Sequence, residues 1–240
     1  MEIERIALGA VRSTNDHLNA MRPKPGKAIL ATAEYQEGGR GQGANRWESE
    51  LGKNLLFSFL VAPEGMAARD QFVLSMANAV ALAHALGRYA AVEVKWPNDI
   101  YAGGRKLAGT LIEARLMGGR VAAATVGTGV NVNQAEFPPG LPGPVSLAQL
   151  AGRELPRGEV MDGIATAFIA QMERADRGDY AGISADYHSL LYRRSGFHRF
   201  ADAAGEFTAR IVSVAQCGRI TLEDSCGRER NYVFKEIRWL

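Results

Sequence analysis

From Asn54 to Val61 the chain reads NLLFSFLV, an uncharged, almost wholly apolar run of strand length. It does not alternate polar with apolar, so it suits a strand buried in a sheet that is covered on both faces. The neighbouring pieces can supply that cover. VRSTNDHLNAM offers Ser13 or Thr14 as the N-cap of a short helix carrying Leu18 and Met21. KAILATAEYQ reads as a second strand. Asp70 to Leu86 has helical spacing, with Phe72, Met76, Val80 and Ala83 on one face and Gly87 as a stop. AVEVKW alternates Val92, Val94 and Trp96 as a strand does. KLAGTLIEARL and RVAAATVGTGVNV flank Gly118 and Gly119 as a hairpin would.

Further on, QAEFPPGLPGP (residues 134–144) is a proline-rich loop, SLAQLAG is a short capped helix, and Val160 to Arg177 is a longer one. From His198 the pattern changes. EFTARIVSV, GRITLED and RERNYVFKEIRWL are strand-like and separated by turns, as in a small β-barrel. The reading is therefore α+β: a mixed sheet with flanking helices over residues 1–194, and a small β-rich unit over residues 195–240. The net charge of +2 offers no strong field toward nucleic acid or membrane, and the apolar runs are too short and too interrupted to span a bilayer. The N-terminus lacks a signal-peptide core, and the only cysteines, Cys217 and Cys226, have no metal-site spacing, so a cytoplasmic protein without a metal centre is expected.

Four pieces could carry chemistry. GGRGQGANRWES, Gly38 to Ser49, combines four glycines, two arginines and a tryptophan. Its glycines can turn N–H groups toward an anion, Arg40 can grip a phosphate or carboxylate, and Trp47 offers a flat face for a ring. The same composition also suits a surface turn with Trp47 packed into the core. VKWPNDIY places Lys95, Asn98 and Asp99 at a strand end, where a plain surface turn is the alternative. GGRKLAGTLIEA delivers Lys106 to the start of an apolar strand, and Gly109 inside that strand suggests close approach of another group. GTGVNVN lacks the third glycine and the following helix of a dinucleotide fingerprint, but Asn131 and Asn133 could address a base edge.

The order and spacing of STN, AEYQ with the glycine-rich loop, KWPND, RKLAG and GxGxNxN resemble the biotin protein ligases, and the resemblance extends into the β-rich tail. It implies a class II synthetase-like catalytic domain followed by an SH3-like domain. It implies ATP- and Mg²⁺-dependent activation of biotin to biotinyl-5′-AMP, then transfer to one lysine of the biotin carboxyl carrier domain of a carboxylase. Ser13, Thr14, Asn15, Gln36, Arg40, Gly41, Gln42, Lys106 and Gly109 fall on biotin and acyl-phosphate positions. Arg40, Trp47, Lys95, Asn98 and Asn131 fall on nucleotide positions, and Arg40 and Lys106 are the expected catalytic cations. Magnesium would be held mainly by phosphates. The nucleophile would come from the carrier, so no histidine of this sequence is given a role.

Two departures from the family pattern stand out. STN begins at residue 13, which leaves no room ahead of it for the DNA-binding domain of some members, so an enzyme without repressor function is expected. In the loop, Gln42, Ala44 and Asn45 replace Arg, Gly and Arg of the common GRGRxGRxW form, and a lid with less positive charge should hold the adenylate less firmly. Family members include monomers and dimers, so a homodimer stays open. A lipoate–protein ligase and a non-catalytic biotin-binding protein are the competing readings.

Overall fold

The computed structural model describes residues 1–43, 45–141 and 143–240. Seven strands form one sheet: β1 (Glu2–Val11), β2 (Lys27–Gln36), β3 (Leu55–Val61), β4 (Glu93–Lys95), β5 (Asp99–Ala102), β6 (Arg105–Met117) and β7 (Arg120–Val130). Their order is β1-β2-β3-β7-β6-β5-β4. The β1–β2 pair is parallel and the other pairs are antiparallel, so the sheet is mixed.

The apolar run occupies the middle of this sheet as β3, with every residue buried. Its two faces are covered differently. Helix α1 (Thr14–Asn19), N-capped by the Ser13 side chain, seats Leu18 against Ile29, Ala31, Leu60 and Ala123 on one face. On the other lie α2 (Phe72–Leu86), α4 (Arg157–Asp176) and α5 (Tyr180–Ser189), and Phe59 stacks on Phe168 of α4 with ring centres 3.9 Å apart. The short α3 (Leu147–Ala151) carries a reciprocal capping box between Ser146 and Gln149. The Gly118–Gly119 turn joins β6 to β7, both glycines in the left-handed region with φ of 58° and 75°.

Four elements differ from the sequence reading. Helix α2 is buried around nearly its whole circumference rather than along one face, because the sheet and two further helices enclose it. Strand β1 and helix α5 were not legible: β1 is an edge strand with few buried positions, and α5 buries only Ile183 and Tyr187. The final segment RERNYVFKEIRWL is not one strand. It divides into β11 (Glu229–Tyr232) and β12 (Arg238–Trp239) around a turn.

These two join β8 (His198–Asp202), β9 (Gly205–Val214) and β10 (Ile220–Asp224) in a five-stranded antiparallel sheet of order β11-β10-β9-β8-β12. Specific bonds hold this sheet against the first unit. The Trp96 indole N–H donates to the Gly218 carbonyl at 3.0 Å. His188 Nε2 accepts from the Val214 N–H at 2.7 Å while Nδ1 faces the Ser184 carbonyl at 2.6 Å, a pairing that fixes the tautomer with hydrogen on Nδ1. A Cβ at Gly218 would stand 2.8 Å from the Phe72 ring, so the two units are in tight contact there.

Within the second sheet, buried Asp224 accepts the backbone N–H groups of Arg228 and Cys226 and the Arg230 guanidinium. The Arg228 N–H, with the Arg230 and Cys226 bonds, holds its pKa down at about 2, against the opposing effect of burial. A depressed carboxylate pKa contributes stability that is present above its unfolded value and lost as pH falls through the folded value. Asp224→Asn is therefore expected to lower the melting temperature at neutral pH and to flatten the loss of stability between about pH 4 and pH 2, as read by thermal melts across that range.

Candidate functional site

The sheet face beneath α1 carries an unusual absence of side chains. Gly109 of β6 pairs directly with Gly129 of β7, and Leu111 pairs with Gly127. Period-two alternation puts all four residues on the face that Ser58 and Leu60 of β3 also present. A Cβ at Gly129 would collide with the indole of Trp47, one at Gly127 would collide with the Asn15 carboxamide, and one at Gly109 would lie 3.1 Å from the Trp47 ring. The glycines thus make a bare floor on which side chains from α1 and the loop after β2 rest.

Above the floor lies a cleft of about 400 Å³. Ser13, Thr14 and Asn15 enter it from the start of α1, and Gln36 from the end of β2. Gln36 Oε1 accepts from the Thr14 N–H at 2.7 Å, which leaves the amide N–H₂ as the group it can offer to a ligand. The chain of bonds continues through the Thr14 and Ser58 hydroxyls at 2.7 Å, from Ser58 to Asn15 Oδ1 at 2.6 Å, and from Asn15 Nδ2 to Glu113 at 2.8 Å. Ser58, fully buried within the apolar run, is thus a polar link of the site.

The glycine-rich loop is a small hairpin: Gly41 N–H donates to the Asn45 carbonyl and Trp47 N–H to the Gly39 carbonyl. Gly43 has φ of 71°. Ala44 lies outside the described residues, so its substitution receives no structural account. Trp47 lies across the floor with its ring N–H buried and without a partner among the described residues. Arg40 is held by two carboxylates, Asp16 at 2.6 Å and Glu113 at 3.1 Å.

On the far side of the cleft, Lys106 Nζ pairs with Asp99 at 2.8 Å. Lys95 donates to the Tyr101 hydroxyl at 2.9 Å. Burial lowers the Lys95 pKa, with Lys106 and Arg193 adding to the effect and Asp99 opposing it. Burial also pushes Tyr101 up to about 12. Asn98 is fixed to β6 through the Thr110 carbonyl. Asn131 stands apart from the other expected site residues. It is buried beneath Lys106, where Nδ2 donates to the Val145 carbonyl at 3.1 Å and fastens the end of the 134–144 loop. Pro142 of that loop lies outside the described residues.

Sequence reading missed the opposite wall, which is made by the last turn and last strand of the second sheet: Phe234, Lys235, Ile237, Arg238 and Trp239. It also missed Glu113 and Asp16. For Glu113 a signal existed, since residues 109, 111 and 113 share one face of β6.

The residues matched by the family model described as the biotin/lipoate A/B protein ligase family are 8–131, just over half the chain. The chain belongs to that family. It is 32% identical over 183 residues to the biotin–[acetyl-CoA-carboxylase] ligase of Paracoccus denitrificans, covering 73% of this chain and 76% of the relative. It is 27% identical to the bifunctional ligase/repressor BirA of Bacillus subtilis over 86% of this chain but only 65% of that protein's length. The solved biotin protein ligase from Aquifex aeolicus in complex with biotin and ATP superimposes with a TM-score of 0.80, covering 98% of this chain and 99% of that one. At 23% identity that likeness establishes the fold. No helix among the described residues is long and apolar enough to cross a membrane.

The bare floor yields a direct test. A methyl group at Gly129 has no room under the indole, so Gly129→Ala is expected to push Trp47 into solvent. Acrylamide quenching of the Trp47 emission, taken as the difference from a Trp47→Phe variant, should rise. Unchanged quenching would place the indole elsewhere.

Proposed function

We propose that this chain activates biotin with ATP to biotinyl-5′-AMP and passes the biotinyl group to a lysine of a carrier domain, with residues 1–194 forming the catalytic unit and residues 195–240 the appended one. The observation that carries the proposal is that one cleft gathers the ligand-binding segments of the family pattern: Ser13 to Asn15, Gln36, Arg40 to Gln42, Trp47, and Lys106 with Gly109. The names of the relatives favour biotin over lipoate.

The physical problem of the first step is charge. The biotin carboxylate must approach the α-phosphorus of a polyanion. A new C–O–P bond forms, the bond to the β-phosphate breaks, and pyrophosphate leaves with the electron pair. Arg40 and Lys106 line the place where these charges meet, and each is parked on acidic partners in the free protein. The arriving phosphate would replace those carboxylates as partner. The cations are then already positioned, and no solvent shell has to be rebuilt at the moment of reaction. Gln36 and the Thr14–Ser58–Asn15 chain suit the polar ureido end of a largely apolar bicycle.

Asp99 is the one carboxylate lining the cleft among the described residues, and no group of three or more metal-binding side chains comes together among them. A magnesium ion would be held mainly by the phosphates, with Asp99 the carboxylate available to touch it, and would neutralise the departing pyrophosphate. In the second step the amine of the carrier lysine attacks the biotinyl carbonyl and AMP leaves. Trp47 and the lid would keep water from the mixed anhydride.

Biotin-dependent exchange of labelled pyrophosphate into ATP tests this reading. Exchange with biotin and none with lipoate is expected, whereas exchange with lipoate alone, or tight biotin binding without exchange, would overturn it. Lys106→Met should cut the exchange rate by about 100-fold or more while the far-UV circular dichroism stays unchanged. A wild-type rate in that variant would remove Lys106 from the chemistry.

A further inference from the structure

The turn between β11 and β12 holds a residue in an uncommon conformation. Lys235 has φ of 73°, the left-handed region in which a side chain is disfavoured and glycine is at ease. The turn is well fixed on either side: the Val233 N–H donates to the Glu236 carboxylate at 2.8 Å, the Glu236 N–H donates to the Val233 carbonyl at 3.2 Å, and Ile237 is buried. A lysine is therefore kept where the backbone would favour glycine, and the side chain must account for it.

That side chain crosses from the second sheet to the lid of the first unit. Its Nζ lies so close to Gly43 that a Cβ there would collide with it. It stands on the cleft wall beside Gln42 and Asn45, the uncharged members of the lid. Arg40 and Lys106 are already paired with carboxylates, whereas Lys235, like Arg46 and Arg238 on the same cleft, makes no ion pair among the described residues, and its Nζ is the one that reaches Gly43 of the lid. The nearest ring is its neighbour Phe234, 5.7 Å from Nζ. A cation held at a lid without a counterion, and facing a cleft, is suited to an anion that arrives in that cleft.

We propose that Lys235 is a positioning residue for the reaction intermediate: the second sheet lends the lid a positive charge that the lid's own residues 42 and 45 do not carry, and this charge holds the anionic acyl-adenylate in place until the acceptor amine arrives. The inference rests on the functional reading above. It also gives the second sheet a part in the reaction, since undocking that sheet would remove the charge and loosen the lid.

Because the backbone conformation favours glycine, Lys235→Gly separates charge from fold. The full-length protein is loaded with labelled biotinyl-AMP and chased with unlabelled biotinyl-AMP, at low and high salt. Lys235→Gly is expected to melt at or above the wild-type temperature yet release the ligand roughly fivefold faster at low salt, the scale of one half-exposed charge contact. Its release should also depend less on salt, and Lys235→Arg should restore slow release. Release at the wild-type rate would overturn the inference. Faster release with a lowered melting temperature and unchanged salt dependence would overturn it too, since that pattern marks a purely structural role. If the wild-type protein neither forms nor binds biotinyl-AMP, the functional reading falls and the inference with it.

Discussion

The pairing of Gly109 with Gly129 across two central strands is the constraint on which the rest of the site depends. A sheet buried on both faces normally fills each face with side chains. Here three glycines on one face leave a depression that the rest of the chain must either fill or leave for a ligand. Asn15 takes the place above Gly127 and Trp47 the places above Gly109 and Gly129. The opposite face stays fully packed, with Thr110 and Thr128 bonded to buried Asn78 of α2. The strands that carry the floor are thus stiffened from behind while their front stays open, the arrangement a site needs if it is to hold its geometry to a fraction of an ångström.

The second theme is the management of charge. Both cations expected to meet a phosphate are paired with carboxylates in the free protein, Arg40 with Asp16 and Glu113, Lys106 with Asp99. The Arg40 pairs are partly exposed, and exposed pairs contribute about 1 kcal/mol or less to stability, whereas Lys106 and Asp99 are more deeply buried. The use of these pairs lies in keeping each long side chain near the working position. A phosphate that takes over a cation gains a charge-assisted bond and costs only a weak one. Glu113 also receives Asn15 and Asn19, so displacement of Arg40 does not leave that carboxylate without partners.

Much of this was legible in the sequence. The buried run at β3, the capped α1, the β6–β7 hairpin and the sheet-rich tail each carry a local signal of period, cap or turn. The motif segments of the first 109 residues come together in the cleft, while the opposite wall carried no motif. What was not legible depended on contacts distant in sequence. Strand β1 has no strong alternation because only its pairing to β2 places it. Ser58 drew no reading of its own within the apolar run, and only the sheet brings it to Thr14 and Asn15. Lys235 sits in a stretch that reads as continuous strand, and a left-handed backbone at a lysine has no sequence signature. Asn131, expected at a base edge, also donates to the Val145 carbonyl, a bond to the far end of the 134–144 loop that no local pattern announces.

The most direct measurement is a crystal structure of the protein with biotinyl-AMP. The account expects the acyl phosphate within hydrogen-bond distance of both Arg40 and Lys106, with Arg40 turned away from Asp16 and the indole of Trp47 lifted from Gly129 toward the ligand. An adenylate bound with Arg40 still on Asp16 and Glu113, Lys106 still on Asp99, and the phosphate touching neither cation would contradict it.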